Sequence, residues 1–138
     1  MYIKPEEISS LVKYRMDQAR TALDDGLFLF EGKRSPQSII NRAYYSMFYA
    51  VLALLQTIGK IPAKHSGLIS LFDTEFVIKG IFGKNLSKDL HRVFEMRQVA
   101  DYQSVESLSF EEAQDFLNRA KGFVNSISEY LKKLRMLD

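Results

Sequence analysis

Arg97 and Asp101 are the residues whose placement first suggests chemistry. On a helix turning 100° per residue, Leu86, Leu90, Val93, Phe94, Arg97 and Asp101 share one stripe roughly 80° wide. Four apolar side chains are followed on the same seam by a guanidinium and a carboxylate. A charge on a core-facing seam is costly unless it is paired or opens onto a wet cleft. Arg97 and Asp101 are one turn apart and can pair with each other, which gives a structural reading, an ion pair tethering the helix end. The functional reading is a polar cleft in which Arg97 meets an anion. Arg suits phosphate because its planar fork donates two hydrogen bonds at once and keeps its charge.

Other candidates are weaker alone. Arg42, Tyr45 and Tyr49 stand at i, i+3 and i+7 on an apolar helix, off the main stripe of Ile40, Tyr44, Met47, Val51 and Leu54. Arg42 is unusual near the start of such a helix and is expected to join a polar cluster with Arg97 or Asp101. His65 precedes a third helical pattern and is a candidate acid–base group or phosphate ligand, since imidazole titrates near neutrality. His91 and Glu95 share a face with Gln98 and Tyr102 and read as a solvated pair. Between Gly32 and Phe72 there is no Asp or Glu, against Lys33, Arg34, Arg42, Lys60 and Lys64. Lys33/Arg34 and Lys60/Lys64/His65 flank opposite ends of one helix, so they are expected roughly 30 Å apart rather than in one patch.

Composition narrows the classes. The chain has 138 residues, the size of one domain, and 1–138 is read as a single helical unit. It has no Cys, which removes disulfide frameworks, thiolate zinc sites and thiol nucleophiles. With two His, a multi-His metal site within one chain is disfavoured, and no metal and no cofactor are expected. A net charge of +2 gives no global basic field of the kind that coats DNA. No Gly-rich phosphate loop, nucleophile elbow or His-Glu-x-x-His motif is present. The N-terminus shows no secretory signal, and the longest apolar run, Ala43 to Leu55, is too short to span a bilayer. A cytoplasmic location is the default expectation.

Helical signals run through the chain, with no period-2 alternation and no hairpin dipeptide. Five helices are predicted. The first starts after Pro5 and ends around Phe30 to Gly32. The second has Ser35 as N-cap and Pro36 at its first position, and runs to about Ile58. The third spans roughly Ser66 to Ile78. The fourth has Ser87 as its cap and reaches about Tyr102. The fifth opens on Ser109-Phe110-Glu111-Glu112, a capping box, and continues to about Leu134. Short polar links favour antiparallel neighbours, so the expected fold is an all-α, five-helix up-down bundle. The second helix is apolar nearly all round and is placed at its centre.

Three segments in this order carry a resemblance: Asn41-Arg42-Ala43-Tyr44-Tyr45-Ser46-Met47-Phe48-Tyr49-Ala50, Lys64-His65, and Arg97-Gln98-Val99-Ala100-Asp101-Tyr102. Together they are similar to small prokaryotic HEPN-domain proteins, over about residues 5–134. The resemblance implies an all-α bundle, a homodimer with its cleft across the dimer, and ribonuclease activity of toxin–antitoxin type. It also implies a minimal nucleotidyltransferase antitoxin as partner. The ribonuclease motif of that family is Arg, four to six residues, then His. Arg97 fits the first position, but Tyr102 stands where the His is expected, and Ser104 where some members carry the Tyr their antitoxin targets. Tyr, with a reference pKa of about 10, is a poor proton carrier at neutral pH. His65 would supply the missing group if the fold brings it to Arg97. Arg97, Tyr102 and His65 are thus the catalytic candidates; Arg42, Tyr45 and Asp101 are the candidate RNA- or nucleotide-binding residues. Two further readings remain: a non-catalytic nucleotide-binding or adaptor bundle, and a homodimeric scaffold joined through an apolar patch near Phe72 and Phe76.

Overall fold

A computed structural model describes residues 4–102 and 108–138, with the backbone alone for 100–102. Its elements are α1 (Pro5–Glu31), α2 (Pro36–Thr57), α3 (His65–Phe72), a π-helical turn (Asp73–Val77), α4 (Lys84–Tyr102) and α5 (Phe110–Lys133). There is no strand among the described residues. The bundle is the all-α, five-helix architecture expected from the periodicity.

The local chemistry explains the ends. Ser35 caps α2 by accepting from the Ser38 amide, with Pro36 as first helical residue. Ser109 and Glu112 form the reciprocal capping box of α5. α2 ends in a Schellman motif: the Gly59 amide donates to Gln56 and the Lys60 amide to Leu55, with Gly59 at φ +67°. α1 ends in the same motif, but its left-handed position is Lys33, at φ +53°.

Side-chain contacts set the directions. Phe30 stacks on Phe110 and Arg20 donates to Ser128, so α1 and α5 are antiparallel. Arg119 pairs with Asp89 and Arg92 lies over Phe116, so α4 and α5 are antiparallel too. α2 lies at the centre, with Ile39, Ile40, Ala43, Tyr44, Met47, Ala50, Val51 and Leu54 all at 1% exposure or less. Gly26 marks where α1, α2 and α5 approach most closely. A Cβ there would sit 2.9 Å from Leu117 Cδ1 and 3.3 Å from Arg42 Cβ. That close approach fixes the height at which Arg42 leaves α2.

Two expectations are corrected. Ser87 is not the cap of α4, which begins at Lys84; its hydroxyl donates to Asp73 Oδ1 at 2.7 Å. The third helix does not run unbroken to Ile78, because the Ile78 amide donates to the Asp73 carbonyl in a π turn. The π segment presents Asp73 to α4, where its other oxygen meets His91 Nε2 at 2.7 Å. His91 therefore pairs with Asp73, not Glu95. The apolar patch expected at Phe72 and Phe76 is also absent, because both rings are buried, at 0% and 1% exposure, against Phe82, Phe123 and Tyr130.

Candidate functional site

The site is built on the middle of α2. Tyr44 and Tyr45 are consecutive, so their rings leave the helix about 100° apart and meet edge to face, with centroids at 5.1 Å. α4 brings Arg97 over both: its guanidinium carbon is 5.0 Å from the Tyr44 ring centre and 5.6 Å from that of Tyr45. One of its nitrogens donates a long hydrogen bond, 3.4 Å, to the Tyr45 hydroxyl. From the other direction, Arg42 lies 5.3 Å from the Tyr45 ring centre and donates to Asn41 Oδ1 through two nitrogens. A single tyrosine ring thus serves two guanidiniums, which stand within about 11 Å of each other. The seam that begins with Leu86 and Leu90 ends in a half-buried cation resting on aromatic faces.

His65 completes the cluster. The expectation that it lies at the far end of the bundle from Lys33 is overturned. Residues 58–64 fold back along α2 and return His65 to the level of Tyr44 and Phe48, whose ring centres lie 5.9 and 4.4 Å from the imidazole. Thirteen residues of helix, about 20 Å, separate Tyr44 from Thr57, a span that seven extended residues can retrace. His65 Nδ1 and the Tyr44 hydroxyl are 2.7 Å apart. Burial pushes the imidazole below its ordinary value, and the Arg97 charge pushes it the same way. Burial also holds the Tyr44 phenol far above its ordinary value, outweighing Arg97's opposing pull, so Tyr44 is a neutral phenol at physiological pH. When Tyr44 donates to Nδ1, the His65 proton sits on Nε2; when it accepts from Nδ1, Nε2 is left as a base. The tyrosine therefore orients the ring and couples its tautomer to the direction of this hydrogen bond.

Of the six candidate site residues, Arg97, His65, Arg42 and Tyr45 are brought together. Asp101 and Tyr102 lie on the last turn of α4, and their side chains fall outside the described residues. Lys60 is drawn away from the site into a pair with Glu75, which also binds Lys79 at 2.6 Å. Two hollows flank Arg42. One, about 520 Å³, is lined by Leu29, Gln37, Ser38 and Asn41; the other, about 300 Å³, runs between α1 and α2 past Tyr14, Asp25 and Tyr49. The residue that sequence reasoning missed is Tyr44, assigned to the apolar stripe. A phenol on an otherwise aliphatic stripe was the available signal, since a buried hydroxyl needs a partner.

The chain is similar to known proteins over most of its length. The profile of the HEPN domain matches residues 12–131. A UPF0332 protein of Thermotoga maritima is 36% identical over 129 residues, covering 94% of this chain and 97% of that one. Two proteins of Methanocaldococcus jannaschii are also similar. The one named "Putative toxin MJ0605" is 32% identical, over 94% of this chain and 92% of its own length. The one named "Putative toxin MJ0142" is 37% identical over 67% of this chain and 63% of its own.

Proposed function

The chain belongs to the HEPN-domain family, and from that premise we propose that it is the toxin-like member of a pair with a minimal nucleotidyltransferase, binding RNA in the cytoplasm as a homodimer. The observation that carries this reading is the convergence of Arg97, Arg42 and His65 on two adjacent tyrosine rings. The tyrosine rings hold the half-buried Arg97 and Arg42 guanidiniums in place, and two fixed cations suit a phosphate group, while the half-buried Tyr45 adds an aromatic surface beside them. Tyr45, Arg42 and Arg97 take the RNA, and Asp101 orients Arg97. Relatives named as toxins support the pairing.

His65 is the group through which cleavage would run. With Nε2 unprotonated it removes the proton of a ribose 2′-hydroxyl. That oxygen attacks the neighbouring phosphorus and the 5′-oxygen leaves, giving a 2′,3′-cyclic phosphate and a 5′-hydroxyl. Arg97 stabilises the charge that builds on the phosphoryl oxygens. The leaving 5′-oxygen takes up a proton from water. No metal enters this scheme. Tyr102 in the position of the family's His favours the second reading, in which the same cluster binds RNA or a nucleotide and does not cut.

Purified protein incubated with single-stranded RNA separates the two. Cleavage lost in both Arg97→Ala and His65→Gln supports the ribonuclease. RNA binding without cleavage, weakened about tenfold or more in Arg97→Ala, supports the binding reading. Binding and cleavage that are indifferent to Arg97→Ala refute both. Co-purification with the product of an adjacent nucleotidyltransferase gene tests the partner.

A further inference from the structure

A third hollow, about 410 Å³, lies in the groove between α1 and α5 and shares no residue with the Arg97 cluster. Its α1 residues, Ser9 to Arg20, lie about 9 to 26 Å along the helix from Gly26, toward the N-terminus. Lys13 and Arg20 reach it from α1, and Lys132 and Arg135 from the end of α5. Two carboxylates, Asp17 and Asp138, also line it. Yet among the described residues Lys13, Arg20 and Arg135 form no ion pair, and Lys132 makes only a 3.7 Å contact with Glu129 outside the cavity. Asp17 and Asp138 offset two of the four positive charges, which leaves the side chains lining the hollow with an excess of two cations, and a concave surface focuses their field.

Two features indicate that the cations are held in place. Arg20 donates to the hydroxyl of Ser128, a residue at 1% exposure, across 2.8 Å, which fixes the guanidinium at the wall. Arg135 occupies the left-handed position of the motif that closes α5, at φ +59°, with its amide donating to Lys132 and that of Met136 to Leu131. Glycine is the usual occupant there, and a side chain in that conformation is strained. Arg135 takes this position as Lys33 does at the end of α1, and here the side chain so placed lines the cavity.

We propose that this groove is a binding site for a small phosphate-bearing anion, separate from the RNA cleft. Its volume is that of a small-molecule pocket rather than of a strand-tracking groove. Arg20 and Arg135 grip the phosphoryl oxygens through their forks, with Lys13 and Lys132 adding charge.

The test is calorimetric titration of the full chain with inorganic pyrophosphate at low salt, run in parallel on Arg97→Gln. Saturable binding is expected to survive in Arg97→Gln, which keeps this outcome distinct from the fate of the RNA reading. Arg20→Gln is expected to weaken it about tenfold or more. Arg135→Gly is expected to weaken it as well while melting at a higher temperature than the parent, a split that a purely structural role for Arg135 would not produce. Absence of saturable binding overturns the proposal. So does binding indifferent to both substitutions, or a short RNA oligonucleotide occupying these cations in preference to pyrophosphate.

Discussion

His65 and Tyr44 form the hydrogen-bonded pair at the centre of the proposed cleft, and the titration of His65 sets a testable direction. The imidazole is held below its ordinary value of 6.5 in the folded chain. The unfolded chain thus takes up its proton first as pH falls, and proton uptake by the unfolded state lowers stability. Stability is expected to decline as pH drops through about 6.5, and urea titrations at a series of pH values should show this portion vanish in His65→Gln. Glu75 acts in a separate window. Hydrogen bonds from Lys60 and Lys79 hold it down to about 2, so its contribution is present above 4.5 and is lost between those values. Arg97→Ala, with its two ring contacts removed, is expected to cost about 1 kcal/mol in the same titrations. Arg97 was legible in the sequence because a cation interrupted an apolar stripe. The Tyr44–His65 bond was not, because the two residues belong to different helices and spacing carries no information about which way a loop returns.

Local signals decide the helix ends wherever no distant group competes. Ser35 and Ser109 were legible as caps because the partner amide lies three residues away, and both bonds form. Ser87 had the same local credentials. Its hydroxyl is claimed instead by Asp73, fourteen residues earlier in the chain, through a π turn that periodicity does not reveal. The C-terminal ends offer a direct comparison, since α1 and α2 close with the same two hydrogen bonds but place Lys33 and Gly59 at the left-handed position. Lys33→Gly is expected to raise stability by about 1 kcal/mol and Gly59→Ala to lower it by a similar amount. Ser109→Ala removes half of the capping box and is expected to cost about 1 kcal/mol. Each is read as a shift in the urea midpoint at unchanged slope.

At the scale of the molecule, the all-α bundle was legible because α2 is apolar nearly all round and so belongs at the centre. Which face remains open was not, since that depends on how the outer helices turn about their axes. Phe72 and Phe76 are consumed by the core, and the apolar surface lies elsewhere. On α1, Leu11, Tyr14 and Phe28 are 37%, 56% and 76% exposed, and they lie on one seam of the helix with the polar Gln18, Thr21 and Asp25. Tyr14 and Asp25 on that seam also border the hollow that reaches Arg42 and Tyr49. A second copy seated there would close over the Arg42 end of the proposed RNA cleft, which links the proposed homodimer to the proposed site. Phe28→Asp is expected to shift the sedimentation coefficient of dilute protein from dimer to monomer, to weaken RNA binding in parallel, and to remove the dependence of the melting temperature on protein concentration. A dimer that persists in both Phe28→Asp and Tyr14→Asp would place the interface on another face. A monomer that binds RNA as tightly as the parent would show that one cleft per chain suffices.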